Sequence, residues 1–225
     1  MADEHGWKIL LRKVLPILQA SPAYEWSLGG GTALYLSLSH RLSKDIDLFF
    51  TNANALREFA PSRNAAVRAI CDTHQQPGHF IKLEIRNQGE IDFLVTREFH
   101  DEPTFDYLFD GQTIRVETPA EIVSKKLYFR ASAFTIRDIF DLAACAVKIE
   151  GFAGDIHPDV SGKAALAIDI IKRRALEYRK RIAEEIVPLE IETAVLQDGP
   201  DLAVSLLEAF LSLHAEKELP GPSPA

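Results

Sequence analysis

The sequence has little cysteine, no long apolar run and no excess of positive charge. Its two cysteines, Cys71 and Cys145, lie among small apolar residues and lack the neighbouring ligands of a zinc site. No stretch reaches the roughly 18 apolar residues of a membrane-spanning helix, and neither end carries a secretory or lipidation signal. These absences argue against a disulfide-rich, zinc-binding or membrane protein and predict a cytoplasmic location.

The charge balance also limits the possible partners. A formal net charge of -8 argues against a protein that coats nucleic acid without specificity, because such binding depends on Lys and Arg. The basic run from Lys172 to Arg181 could follow an RNA backbone. However, Glu177, Glu184 and Glu185 alternate with it, which favours an ion-paired helix face.

Hydrophobic periodicity predicts an α+β protein, with a mixed β-sheet and flanking helices followed by an α-helical domain. We expect strands at 24–28, 45–50, 79–86 and 90–96 and a further pair around Asp110-Gly111. We expect helices at 7–20 with a kink or stop at Pro16, and then at 32–39, 53–73, 135–148, 161–185 and 202–215.

The pattern changes at Thr118, where a helix begins with an N-cap threonine, Pro119 at its first position and Glu121 as capping-box partner. We therefore predict a first domain at 1–117, a helical domain at 118–219 and a disordered tail at 220–225.

Two aspartates on the second predicted strand indicate a metal site. Asp45 and Asp47 are two positions apart, so both carboxylates project from one face while Ile46 and Leu48 enter the core. Divalent ions such as Mg²⁺ prefer oxygen ligands, and they neutralise the charges of a nucleoside triphosphate during transfer. The pair predicts a Mg²⁺ (or Mn²⁺) site for a triphosphate substrate.

A run of three glycines indicates where the phosphates would bind. A glycine turn into a helix N-terminus offers backbone N–H groups and a favourable dipole, so we expect Gly30, Gly31 and Thr32 to contact the triphosphate. Such a run alone is common in tight turns. Thirteen residues separate Gly31 from Asp45, which leaves room for one short helix and places both features at one edge of the sheet.

Asp92 is the candidate third carboxylate. It points away from the face that carries Ile91, Phe93 and Val95. An aspartate on the polar side of a strand needs no special role, so an ordinary structural position remains an alternative.

An extended motif resembles a known family. Residues 30–34 (GGTAL) and 40–49 (HRLSKDIDLF) are similar to the AbiEii/AbiGii-type toxin family of nucleotidyltransferases, within the polymerase-β-like superfamily. The resemblance continues at Lys126-Leu127, Arg130, Arg137-Asp138 and Asp141-Leu142. It covers about 28–50, the strand around Asp92, and 117–144.

The resemblance implies a first domain that transfers nucleotides and a helical domain that closes the nucleotide cleft. It implies metal ligation by Asp45, Asp47 and Asp92, and catalytic roles in the nucleotide site for Lys126 and Asp138. Lys125 is an alternative to Lys126, and Asp138 also fits a capping box that begins at Thr135. Further phosphate contacts are expected from Arg41, Ser43 and Arg130.

The resemblance also implies an acceptor and a biological setting. ATP, GTP, CTP or UTP would supply the nucleotide, the acceptor could be a tRNA end, another nucleic acid or a protein hydroxyl, and a cognate antitoxin is an expected partner. Two alternatives stay open: a catalytically silent module that binds nucleotide or protein, and an antibiotic-type enzyme that modifies a small molecule.

Overall fold

The computed structural model describes residues 6–215, and the predicted tail at 220–225 lies outside them. The chain divides into two compact units. The first takes the residues up to Ser37 together with Leu42–Thr118, and the second takes Leu38–Arg41 together with the chain from Pro119 onward. That these units are independent domains stays a prediction.

The first unit contains four helices and seven strands among the described residues. In chain order they are α1 Gly6–Gln19, β1 Trp26–Gly29, α2 Gly30–Leu38 (whose last residue groups with the second unit), β2 Ile46–Phe50, α3 Ala55–Glu58, α4 Ala65–Ile70, β3 Thr73–Gln75, β4 Phe80–Ile85, β5 Gly89–Val95, β6 Thr104–Phe109 and β7 Gln112–Glu117.

Two predicted helices of this unit differ in detail. The helix expected at 53–73 is two short helices and a strand, because Pro61 interrupts the pattern and the Asn64 side chain caps a new helix by accepting the N–H of Val67. In contrast, α1 continues through Pro16 to Gln19. Its buried apolar face holds it in the core despite the lost backbone hydrogen bond.

The strands form one mixed sheet in the order β3-β4-β5-β2-β1-β7-β6. Two pairs are parallel, β2 with β5 and β1 with β7, and the other pairs are antiparallel. The predicted mixed sheet with flanking helices is therefore confirmed. One parallel pair joins β2 to β5, the two strands that carry the candidate aspartates.

One face of the sheet forms the core of this unit. Side chains alternate along each strand, so Ile46 and Leu48 of β2 are fully covered while Asp47 between them is not. Phe50, Phe59 and Phe93 stack with ring centroids 5.3 to 6.1 Å apart. Burying each such ring stabilises the fold by about 1.5–3 kcal/mol. This stabilisation offsets the cost of placing several charged side chains on the opposite face of the sheet.

The second unit is helical. Its long helices are α5 Pro119–Arg130, α6 Ile136–Lys148, α7 Ser161–Glu185 and α8 Thr193–Ala215. The predicted start of the last helix, at 202, was too late. The helix already runs from Thr193, has a kink at Asp198 (φ -113°, ψ 15°) and continues with Pro200 early in its second segment, where proline is tolerated.

α6 packs against both α7 and α8, and the last two helices also pack against each other. The Tyr178 hydroxyl joins them by donating to the Val195 carbonyl at 2.6 Å. The basic run on α7 is ion-paired: Arg181 contacts Glu177 and Glu185, in agreement with the interpretation as an ion-paired face. No helix within residues 6–215 combines the length and apolar character needed to cross a bilayer.

Candidate functional site

A row of paired residues crosses four neighbouring strands of the first unit. Gly29 of β1 pairs with Asp47 of β2, Asp47 with Asp92 of β5, and Asp92 with Lys82 of β4. Residues that pair across strands share a face of the sheet. The carboxylates of Asp47 and Asp92 and the Lys82 ammonium therefore lie on the same face, opposite the apolar core.

Two further carboxylates adjoin this row. Asp45 lies one residue before β2, and its Oδ1 accepts the backbone N–H of Glu90 at 3.0 Å. Glu90 is two positions before Asp92 on β5 and shares its face. We call Asp45, Asp47, Glu90 and Asp92 the carboxylate cluster.

Lys82 contacts two members of the carboxylate cluster. Its Nζ lies 3.3 Å from Asp92 Oδ2 and forms a closer ion pair with Glu90 Oε2. Burial alone would lower the pKa of Lys82, but the hydrogen bond to Glu90 and the charges of Asp92 and Glu90 raise it. Lys82 is therefore charged at neutral pH.

Burial and the Lys82 charge act on Asp92 in opposite directions. Burial raises its pKa, and the nearby Lys82 charge only partly offsets that effect. Its Oδ2 contacts Lys82, whereas its Oδ1 is buried and accepts no hydrogen bond within the described residues. A buried oxygen with no donor is costly, so a cation that reached this atom would be favoured there.

The start of α2 lies against Asp47. Gly30 is the first residue of α2 and has φ +62°, a left-handed conformation that favours glycine. A Cβ at Gly30 would lie 1.9 Å from Asp47 Oδ2, so no other residue fits there without displacing that carboxylate. The first backbone N–H groups of a helix have no partner inside it, and here they begin beside the carboxylate cluster.

Thr32 and Ser43 hold this helix start to the chain around Asp45. The Thr32 side chain is fully buried. Its hydroxyl donates to the Asp45 carbonyl and is hydrogen-bonded to the Ser43 hydroxyl at 2.8 Å. The Thr32 hydroxyl is thus part of the scaffold, which leaves its backbone N–H as the group that could meet a phosphate.

The carboxylate cluster suits a divalent ion in donor type, since Mg²⁺ and Mn²⁺ prefer carboxylate oxygen. The unengaged Asp92 Oδ1 supports that fit. Within residues 6–215, however, no three His, Cys, Asp or Glu side chains converge closely enough to hold a metal ion as they stand. Asp45 and Asp47 are the first candidates for ligands, and Asp92 is engaged by Lys82.

The second unit contains a buried ion-pair network around Lys126. Its ammonium donates to Asp138 Oδ1 at 2.7 Å and to Asp141 Oδ2 at 2.8 Å. Asp138 Oδ2 also contacts Arg130 at 3.0 Å and accepts the N–H and hydroxyl of Thr135. The predicted capping box is therefore present together with the ion pair.

Arg41 and His40 complete this network on the other side of Asp141. Arg41 donates to both oxygens of Asp141, at 2.7 and 3.0 Å, and His40 Nε2 lies 2.9 Å from Oδ1. Burial outweighs the pull of Asp141 and lowers the pKa of His40, so the imidazole is neutral at pH 7. Burial by itself would raise the pKa of Asp141, but Arg41, Lys126 and His40 hold it well below its usual value.

The structure thus gathers the predicted residues into two groups. Gly30, Gly31, Thr32, Ser43, Asp45, Asp47 and Asp92 belong to the first unit, and Arg41, Lys126, Arg130 and Asp138 belong to the network of the second. Lys125, the alternative lysine, pairs instead with Glu121 at 3.1 Å. The catalytic roles assigned to all of these residues stay predictions.

Sequence patterns did not indicate Lys82 or Glu90 as site residues and gave no role to His40 or Asp141. A signal for Lys82 was present. The turn at Asn87-Gln88-Gly89 fixes the pairing of β4 with β5, from Ile85 opposite Gly89 to Lys82 opposite Asp92. His40 and Asp141 lie about a hundred residues apart, so no local pattern joins them.

Two solved structures share this fold. A Helicobacter pylori protein proposed to be a nucleotidyltransferase superposes with a TM-score of 0.56 at 16% identity, covering 98% of this chain and all of that one. The H. pylori protein JHP933 gives a TM-score of 0.54 at 16% identity, covering 97% and 100%. At this identity the likeness shows the fold alone, and the fold is that of nucleotidyltransferases.

The family follows from the sequence. The protein-family model described as "Nucleotidyl transferase AbiEii toxin, Type IV TA system" matches residues 15–198 of the sequence. The chain therefore belongs to the AbiEii nucleotidyltransferase toxin family of type IV toxin–antitoxin systems, and the resemblance noted from its motifs is confirmed. A comparison with curated proteins gives no match.

The close approach of Gly30 to Asp47 makes a testable prediction. We expect Gly30→Ala to destabilise the protein by more than the roughly 1–3 kcal/mol of backbone strain alone, because the new methyl group would also displace Asp47. Urea unfolding followed by circular dichroism measures the difference.

Gly111→Ala is the matched control, since Gly111 also has a positive φ (+80°) but open space around its Cβ position. In an Asp47→Ala background, which removes the carboxylate but keeps a Cβ 3.0 Å from the new methyl group, Gly30→Ala should cost less than it does in the wild-type background. Equal costs of the two glycine changes in the wild-type background would show that Gly30 has no special contact.

The buried network makes a second prediction. Asp141→Asn should destabilise the protein by about 3–5 kcal/mol, because it leaves Arg41 buried without its carboxylate and Lys126 with Asp138 alone. Asp169→Asn, at an exposed position of α7, should stay within about 0.5 kcal/mol of the wild type. Urea unfolding at pH 7 compares the three proteins.

The pH dependence of that difference provides a check. The folded pKa of Asp141 is depressed, so its stabilisation is fully present above the ordinary value of 3.8 and is lost as pH falls through the folded pKa. The gap between wild type and Asp141→Asn should therefore shrink as pH falls below about pH 4. A gap that still grows below about pH 4 would contradict this.

Proposed function

We propose that this chain transfers a nucleoside monophosphate from a nucleoside triphosphate to an acceptor hydroxyl in a reaction that requires Mg²⁺ or Mn²⁺. The observation that carries the proposal is the contact between the start of α2 and Asp47. It joins a group of phosphate-binding N–H donors to a cluster of carboxylates.

The two halves of this arrangement have complementary tasks. The N–H groups of Gly30, Gly31 and Thr32 bind the triphosphate, with the helix dipole favouring its negative charge. Asp45, Asp47 and Asp92 would hold the divalent ions, which supply neutralisation of the triphosphate and of the leaving pyrophosphate. The contact at Gly30 then fixes the distance between the bound phosphates and the carboxylates.

The network of the second unit contributes less directly in this proposal. The Lys126 charge is fully offset by Asp138 and Asp141, so Lys126 acts first as a structural centre of its helices. The Arg130 side chain remains half exposed while it contacts Asp138. Arg41 is held by Asp141 at both oxygens and is the least accessible of these cations.

The acceptor and the setting are proposed from the family. Because the chain belongs to a toxin family of type IV toxin–antitoxin systems, we propose a nucleic-acid acceptor such as a tRNA end and a cognate antitoxin that opposes the activity. The net charge of -8 favours recognition of a defined acceptor end over broad binding to nucleic acid.

The test is nucleotide transfer by the Asp47→Asn variant. Wild-type protein is incubated with Mg²⁺, bulk tRNA and each α-³²P-labelled nucleoside triphosphate in turn, and label in the tRNA is measured. We expect Asp47→Asn to lower the rate by about 10²–10³-fold, because an amide cannot replace a carboxylate beside a divalent ion.

Asp101→Asn, an exposed aspartate of the same unit, is the control and should keep wild-type activity. Undiminished transfer by Asp47→Asn would contradict the proposed site. Mg²⁺-dependent binding of a triphosphate without label transfer to tRNA, lysate or aminoglycosides would instead favour a silent binding module. Transfer to an aminoglycoside alone would favour the antibiotic-type alternative.

A further inference from the structure

Lys82 lies beside carboxylates that would hold the divalent ion of the proposed reaction, so the ammonium and the ion would compete for the same ligands. It faces Asp92 across the β4–β5 pairing, and its ammonium lies 3.3 Å from Asp92 Oδ2. It also pairs with Glu90, so it contacts two of the four members of the carboxylate cluster. Lys82 is 24% exposed and Asp92 is 22% exposed, so water screens this pair less than it screens a surface ion pair.

The two oxygens of Asp92 are in different states. Oδ2 is held by Lys82, while Oδ1 is buried and accepts no hydrogen bond from the described residues. Most buried carboxylate oxygens accept a hydrogen bond, because a buried oxygen without a donor is unfavourable. A carboxylate oxygen without a donor is suited to binding a positively charged ligand.

We propose that Lys82 is a positioning residue for Asp92. It holds Asp92 through Oδ2 and leaves Oδ1 for a divalent ion. Its charge also weakens the binding of that ion to the carboxylate cluster. The proposal rests on the proposed function, in which this cluster holds Mg²⁺ or Mn²⁺. Lys82 then has two effects with opposite consequences for the metal, one geometric and one electrostatic.

The electrostatic effect has a clear sign. A fixed ammonium next to the ligands repels a divalent ion, and in partly buried surroundings that repulsion exceeds its value in water. The Lys82 ammonium also holds the carboxylates together before any metal is bound, since four carboxylates on one sheet face repel one another. A cluster with weak metal affinity fits an ion that is exchanged together with the triphosphate and pyrophosphate it accompanies.

The variants separate charge from position. Lys82→Gln removes the charge and keeps a hydrogen-bond donor, and Lys82→Met removes both. Lys82→Arg keeps the charge. Lys13→Gln, which removes a positive charge from α1 of the same unit, is the control for net charge.

The experiment measures the affinity of the full chain for Mn²⁺ by electron paramagnetic resonance of the free ion, without nucleotide. We expect Lys82→Gln to bind Mn²⁺ about tenfold tighter than wild type. Lys82→Met should gain less than Lys82→Gln, because Asp92 is then no longer held, and Lys82→Arg and Lys13→Gln should match wild type. In thermal unfolding, the neutral variants should have a lower Tm without Mn²⁺ and a larger rise in Tm when Mn²⁺ is added.

The other outcomes overturn the proposal in distinguishable ways. If wild type binds Mn²⁺ and Asp47→Asn does not, but the Lys82 variants bind as wild type does, Lys82 is only a structural ion pair. Weaker binding by Lys82→Gln would also overturn the proposal, since the charge would not be competing with the ion. Absence of saturable Mn²⁺ binding that depends on Asp47 would overturn the metal-dependent function itself.

Discussion

The parallel pairing of β2 with β5 is the constraint on which the candidate site depends. It places Asp47 directly beside Asp92, and the antiparallel neighbours on either side add Gly29 and Lys82 to the same row. Because side chains alternate, the same register also sends Leu48 and Phe93 into the core. A slip of one residue would bury the carboxylates and expose the core, so the core stabilises the site geometry.

The protein holds its clustered carboxylates in two contrasting ways. In the helical unit, Asp138 and Asp141 are matched by Lys126, Arg41 and Arg130, and both aspartate pKa values are lowered. In the sheet unit, Lys82 contacts Glu90 and Asp92, and the pKa of Asp92 is nevertheless raised. A matched network serves stability, whereas a cluster with a shortage of positive charge is suited to binding a cation.

Local patterns in the sequence predicted much of the fold. The alternation around Asp47 predicted its strand and its exposed face, and the turn at 87–89 predicted the hairpin that carries Asp92. Pro119 and the Thr135 cap marked the starts of two helices. Each of these signals lies within a few residues of the feature that it determines.

What the sequence did not predict depends on distant contacts. The pairing of β2 with β5 joins segments about 45 residues apart, and the contacts of His40 and Arg41 with Asp141 span about a hundred. Those contacts place Leu38–Arg41 with the helical unit although its neighbours in the chain belong to the sheet. From its place in the motif, Arg41 was expected to contact the phosphates. In the structure its guanidinium is instead hydrogen-bonded to both oxygens of Asp141.

We propose that the carboxylate cluster and the start of α2 form one binding site for a metal-bound triphosphate. The most direct measurement is a crystal structure of the full chain with Mn²⁺ and a non-hydrolysable nucleoside triphosphate analogue, using anomalous scattering to locate the ion. We expect an anomalous peak bound by Asp45, Asp47 and Asp92, with phosphate oxygens at the N–H groups of Gly30 and Gly31. A peak elsewhere, or a triphosphate bound away from α2, would contradict it.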